Sequence, residues 1–261
     1  MVSFTELLSS ANFLDGEMHL EIPEAWMQGR AIFGGLSASI LHAACAPLAP
    51  PAVPLRSAHV TFIGPAGGAA KVVAKVIRQG RAVTFIEADL FSDKGIAARG
   101  LFVFGAARES FIAQDWLETP TLPDPDACDD LFPEGFGPAW INHFDLKQAY
   151  GDKLISGSSK NGYGVWARHR DRQAVGISAL LAIADALPPS IMPMFTQLAP
   201  ISTVTWLINF TNQAQSFDAD WALVQSEGEF AGDGYVSQNM PIWSSSRTLL
   251  AAARQSVAIF A

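Results

Sequence analysis

The chain has 261 residues, 49% of them hydrophobic and only 16% charged, which suffices for one large core or two fused domains. A formal net charge of −8 argues against nonspecific nucleic-acid binding and gives no general steering toward an anionic ligand. No apolar run approaches the roughly 18 residues of a membrane span. The segment MVSFTELLSSANFLDGE lacks the basic-then-apolar order of a secretory signal. Cys45 and Cys128 form neither a disulfide framework nor a metal-ligand spacing, so a reducing cytoplasmic compartment is expected.

In chain order, Met18–Ile22 alternates like a strand and 29–35 forms a loop into an apolar helix beginning at Gly35 and running to about Pro47. The proline-rich stretch 46–54 (APLAPPAVP) cannot continue that helix. Four strands are predicted next, Leu55–Ile63, Ala70–Ile77, Ala82–Phe91 and Ala97–Phe104, with turn residues at 79–81 and 93–95. The acidic, proline-rich stretch 115–137 reads as a linker. It separates a first domain, 1–114, from a second, 138–261. Beyond it, β segments at 140–150 and 162–168 precede a helix over 174–187, which Pro188-Pro189 stops. Four more strands follow, at 203–210, 220–229, 234–243 and 248–260.

The order strand, helix, four strands thus occurs twice. Gly35-Leu36-Ser37-Ala38 and Gly176-Ile177-Ser178-Ala179 open the two helices, 141 residues apart, and Phe62 and Phe210 end the two following strands, 148 apart. A repeat of this length indicates a duplicated domain; solenoid units are about 20–50 residues long. The copies differ nine residues after each glycine, where the first has Ala44 and the second Asp185.

Asp185 is the only charge in VGISALLAIADAL, a segment apolar around nearly its whole circumference, as when a curved antiparallel sheet wraps a helix. It falls near the helix C-terminus, where the macrodipole disfavours a carboxylate, and burial would disfavour its ionised form further. Two readings stand at this point: a side chain that caps the helix end or reaches solvent, and a functional carboxylate.

The segments FGGLSASILHAACAP, PLRSAHVTFIGPAGG, VIRQGRAVTFIEADLF, DALPP, STVTWLINF and AAARQSVAIF, in this order, resemble acyl-CoA thioesterases of the double-hotdog type. The resemblance implies an α+β fold, two fused units in each of which an antiparallel sheet wraps a helix. It also implies hydrolysis of acyl-CoA to free acid and CoA, without a cofactor. The implied catalytic group is Asp185 on the second helix, Thr203 on the following strand and Gln255 on the last strand, together binding and polarising a water. Gly34 and Gly35 (or Gly176) would supply backbone N–H groups to the oxyanion. Thr205 is expected on the same sheet face as Thr203, by the two-residue period of a strand. His59 would either line the acyl or pantetheine channel or serve as a hydrogen-bonded structural histidine. The first copy, with Ala44, Leu55 and about Phe102 at the equivalent places, would be silent. Departures include Thr205 where many relatives carry Asp, and the lack of arginines after Phe62 and Phe210.

A buried carboxylate of raised pKa suits a base that takes a proton from water, and a hydroxyl and an amide can orient that water. No G-x-S-x-G elbow, glycine-rich phosphate loop or metal spacing among the histidines offers another chemistry. The alternatives are a hotdog hydratase or dehydratase, and a catalytically silent acyl-thioester-binding protein. The partner is acyl-CoA, with no nucleic acid, no metal and no membrane span. A homodimer or higher homo-oligomer is expected. The arginines at 168, 170 and 172 read as a solvated loop or a phosphate contact, and the tryptophans of the second half as core, interface or acyl-channel wall.

Overall fold

Period-two burial along the strands and two helices too apolar to face water leave one economical arrangement, a sheet whose inner face is covered by the helices. The computed structural model describes residues 1–118, 120–133 and 135–260; Thr119 and Glu134 of the expected linker and Ala261 lie outside the described residues. The first half contains α1 (Phe4–Ser9), β1 (Asn12–Leu14), β2 (Glu17–Ile22), β3 (Met27–Gln28), β4 (Ala31–Ile32), α2 (Gly34–Cys45), β5 (Leu55–Phe62), β6 (Gly68–Gln79), β7 (Val83–Ser92) and β8 (Gly95–Gly105). The second contains β9 (Phe144–Tyr150), β10 (Tyr163–His169), α3 (Gly176–Ala184), β11 (Ile201–Phe210), β12 (Ala222–Gly232), β13 (Tyr235–Ser244) and β14 (Leu249–Ile259).

The two sheets expected from the duplication form one antiparallel sheet of 12 strands, ordered β1-β2-β6-β7-β8-β5-β11-β14-β13-β12-β10-β9, with six from each half. The seam is the β5–β11 pair, where Val60 stands opposite Trp206 and His59 opposite Leu207. On the inner face α2 and α3 cross antiparallel, each wrapped by its own half-sheet in a double hotdog. The Ser39 hydroxyl lies 2.7 Å from both the Gly35 and the Ser178 carbonyl oxygens, and His42 Nδ1 lies 2.8 Å from Ser178 Oγ. Gly35 permits this crossing, because a Cβ there would stand 2.6 Å from the Ala182 carbonyl oxygen.

The duplication extends to a strand irregularity. In β11, Thr203 opposes Val257 and Thr205 opposes Ser256, leaving Val204 as an extra residue. In β5, Leu55 opposes Phe104 and Ser57 opposes Val103, leaving Arg56 extra at the equivalent position.

Two structural ties were absent from the expected elements. The helix α1 starts at a capping box, the Ser3 hydroxyl accepting from Glu6 N–H while the Glu6 carboxylate accepts from Ser3 N–H; the Ser-x-x-Glu spacing at 3–6 signals it. It docks on the second half, with Thr5 N–H donating to Asp171 at 2.8 Å and the Phe4 ring 4.9 Å from His169. The later part of the linker also packs on the second half. Leu131 N–H donates to Leu146 O and the Trp166 indole N–H to Pro123 O, both at 2.9 Å.

Candidate active site

The helix α3 ends because Pro188-Pro189 cannot continue it, and Asp185 terminates it with φ −104° and ψ 6°. The chain beyond is pinned to the sheet. Tyr163 hydroxyl donates to Pro188 O, Gly162 N–H donates to Ser190 O, and Ser190 N–H donates to Gln238 Oε1. These ties fix the direction in which the Asp185 side chain leaves the helix.

That direction leads to the first half. The helix α2 has no side-chain N-cap at Phe33, so its leading N–H groups need partners from elsewhere. The Gly35 backbone acts on the Asp185 carboxylate, lowering its pKa. A Cβ on Gly34 would stand 2.5 Å from Asp185 Oδ2 and 3.3 Å from the Phe62 ring, so only glycine allows the carboxylate this close. The positive end of the α2 dipole thus meets a carboxylate that the α3 C-terminus disfavours.

The third contact comes from β14. Gln255, buried on the inner face opposite Trp206, donates from Nε2 to Asp185 Oδ1 at 2.6 Å. Asp185 keeps partial exposure, yet protein atoms crowd its carboxyl. Burial pushes the pKa up to about 7, against the lowering by the Gln255 amide and the Gly35 N–H. The carboxylate is therefore poised to exchange a proton near neutrality.

The strand register settles where the remaining expected residues lie. Thr203 shares the inner face with Gln255, since its partner Val257 is core; among the described residues its hydroxyl makes no protein hydrogen bond. The bulge at Val204 puts Thr205, opposite Ser256, on the outer face, correcting the expectation that the two threonines share a face. His59 is exposed on the outer face as well, so the sheet separates it and Thr205 from Asp185. Gly176 is also remote from the carboxylate's contacts, with φ +75° and its N–H donating to Phe217 O at 2.8 Å. Phe62, beside Gly34, belongs to the site and was missed in the sequence. Two surface hollows of about 190 and 240 Å³ lie elsewhere, and Asp185 lines neither.

This geometry stands in a chain whose residues 22–105 match the family description acyl-CoA thioesterase N-terminal domain and whose residues 120–259 match acyl-CoA thioesterase C-terminal domain. The chain belongs to the acyl-CoA thioesterase family. A hot-dog-fold protein of unknown function from Alicyclobacillus acidocaldarius superposes with a TM-score of 0.85 at 20% identity, covering 98% of this chain and 97% of that one. The acyl-CoA thioesterase II TesB2 of Mycobacterium marinum gives 0.75 at 17% identity, with 97% of each chain covered. The dehydratase domain of RzxB from Pseudomonas fluorescens gives 0.58 at 11%, covering 96% and 97%. No curated protein sequence matches this chain.

Within its duplication, this family member has the polar set in the second copy alone. Ala44, Leu55 and Phe102 occupy the places equivalent to Asp185, Thr203 and Gln255, and all three are buried and apolar. Of the arginine cluster, Arg170 and Arg172 are exposed in the turn after β10, as a solvated loop, while Arg168 lies partly buried on β10. Arg168 and Arg170 pair with Asp145 at 2.8 and 2.9 Å, and Arg168 lies over the Trp221 ring. Trp166, Trp221 and Trp243 form a separate apolar cluster under the linker, whereas Trp206 faces the core beside Gln255. No helix among the described residues is long and apolar enough to cross a membrane.

Proposed function

We propose that this chain hydrolyses the thioester of an acyl-CoA, using a water held between Asp185, Thr203 and Gln255. The observation that carries the reading is the Asp185 carboxylate, bonded by Gln255 from the last strand and set against the Gly34 start of the opposite helix. Ionised Asp185 takes a proton from water as the water oxygen bonds to the thioester carbonyl carbon. The tetrahedral intermediate then expels the CoA sulfur, which recovers the proton from Asp185; the products are a carboxylic acid and CoA. Thr203 supplies a hydroxyl on the same sheet face, able to orient the water. The Gly35 backbone lowers the pKa of the carboxylate beside it, which supports a task in positioning the base.

Hydration or dehydration at the acyl chain would need a second acid or base beside the substrate. Among the described residues Asp185 has no histidine, lysine or second carboxylate as a partner, which favours hydrolysis. The reading is tested by incubating the chain with acyl-CoAs of varied length and identifying products by mass. Free acid and CoA are expected; an enoyl or hydroxyacyl thioester would contradict it.

A further inference from the structure

Gln255 can serve Asp185 only if its amide faces the right way. An amide has a donor end and an acceptor end of nearly equal shape, so something must hold the NH2 end toward the carboxylate. The fixed point is a backbone group. Ser190 N–H, which can only donate, meets Gln238 Oε1 at 2.8 Å. That forces Gln238 Nε2 to the opposite side, where it donates to Gln255 Oε1 at 3.0 Å and to Met240 Sδ at 3.4 Å. With its oxygen thus engaged, Gln255 presents Nε2 to Asp185 at 2.6 Å. The two glutamines stand directly opposite each other on β13 and β14, and both are buried, Gln238 completely. Turning either amide over would set donor against donor or acceptor against acceptor between buried groups.

We propose that Gln238 is a positioning residue that fixes the amide of Gln255 with its NH2 end toward Asp185, relaying a polarity set by the Ser190 backbone. Its effect on turnover rests on the hydrolytic reading above; its effect on the carboxyl does not. The groups acting on the Asp185 proton are the Gln255 amide and Gly35 N–H, with no charged side chain among them. On α2, His42 bonds Ser178 at the far end of the crossing, and on β14 Arg254 faces outward to Glu229. In a variant that adds no charge, such as Gln238→Met, a change in the carboxyl therefore reports on the amides.

The test compares the native chain with Gln238→Glu and Gln238→Met, reading the Asp185 carboxyl titration by carbon-13 NMR, assigned with Asp185→Asn, and the acid limb of kcat against pH. In Gln238→Glu the new carboxylate, when ionised, still accepts from Ser190 N–H but cannot donate to Gln255. The Gln255 amide then turns over and shows its oxygen to Asp185. The carboxyl titration and the acid limb should both move up by about one pH unit or more in Gln238→Glu, the reversed amide and the added charge acting together, and the Met variant isolates the amide. Gln238→Met, similar in shape, should lower kcat about tenfold with a smaller upward move and little change in KM. Should Gln238→Glu fail to fold, the Met variant still decides. A loss of thermal stability with an unmoved carboxyl titration in the folded variant would reduce Gln238 to a packing role and overturn the proposal. A native chain inert toward acyl-CoA would sink the hydrolytic reading while leaving the titration free to test Gln238.

Discussion

At the scale of the residue, Asp185 is a carboxylate with three claims on it, desolvation raising its pKa and two donors lowering it, with desolvation ahead. Acting as a base it must be ionised, so kcat/KM should rise about tenfold per pH unit below about 7 and level off above. Stability should run the other way. The folded chain binds this proton more tightly than the unfolded chain between about pH 4 and about 7, so the group's contribution is full at low pH and is lost across that window. The loss is about 4 kcal/mol at most, and less because Asp185 is partly exposed. Thermal melts of native and Asp185→Asn chains from pH 4 to 8 should show a gap that shifts in favour of the Asn variant as pH rises. A constant gap would contradict the raised pKa. Gly34→Ala forces a methyl against Asp185 Oδ2 and should cut kcat about a hundredfold by displacing the base, with melting little changed. Unaltered kinetics would mean that the carboxylate need not sit there.

At the scale of the element, most strands and both long helices were legible, because alternation, glycine and proline encode them locally. The carboxylate at 185 was legible for the same reason, a lone charge in an apolar helix beside Pro188-Pro189. Its neighbours were less so. That Gly34 and Gly35, some 150 positions away in sequence, meet Asp185 depends on the antiparallel crossing of α2 and α3, which no local pattern states. The bulge at Val204 turned a sound period-two argument for Thr205 into an error, since one extra residue reverses the side of everything beyond it. This gives a sharp contrast. Thr203→Val should lower kcat at least tenfold, whereas Thr205→Val, on the outer face, should leave it within about twofold. Equal losses in steady-state assays would mean that the register argument fails for the site. Gln238 escaped the sequence reading entirely, because a glutamine in a strand carries no signal until its cross-strand partner is known.

At the scale of the whole molecule, the duplication puts two helix starts and two helix ends beside each other, and only the crossing at Asp185 carries a polar set. The base comes from the second half and the helix start that binds it from the first, so the halves must hold register with each other. The β5–β11 seam does part of this. The α2–α3 crossing adds to it through Ser39 and His42 at Ser178, and the N-terminal segment adds a further joint. Trp26, fully buried, stacks on His143 of the second half with ring centroids 3.6 Å apart, and its indole N–H donates to Val2 O. Trp26→Ala should cost about 3–5 kcal/mol in denaturant unfolding, a loss felt by the joint between halves as well as the core. A change below about 1 kcal/mol would show that the joint does not depend on Trp26.

The central claim is that Asp185 drives hydrolysis of an acyl-CoA thioester in this one site. It is met most directly by thiol release from a panel of acyl-CoAs, comparing the native chain with an Asp185→Ala variant whose fold is verified by circular dichroism. Turnover by the native chain that falls at least a hundredfold in the variant is the predicted result. Turnover that survives the substitution would contradict the account by placing the chemistry elsewhere.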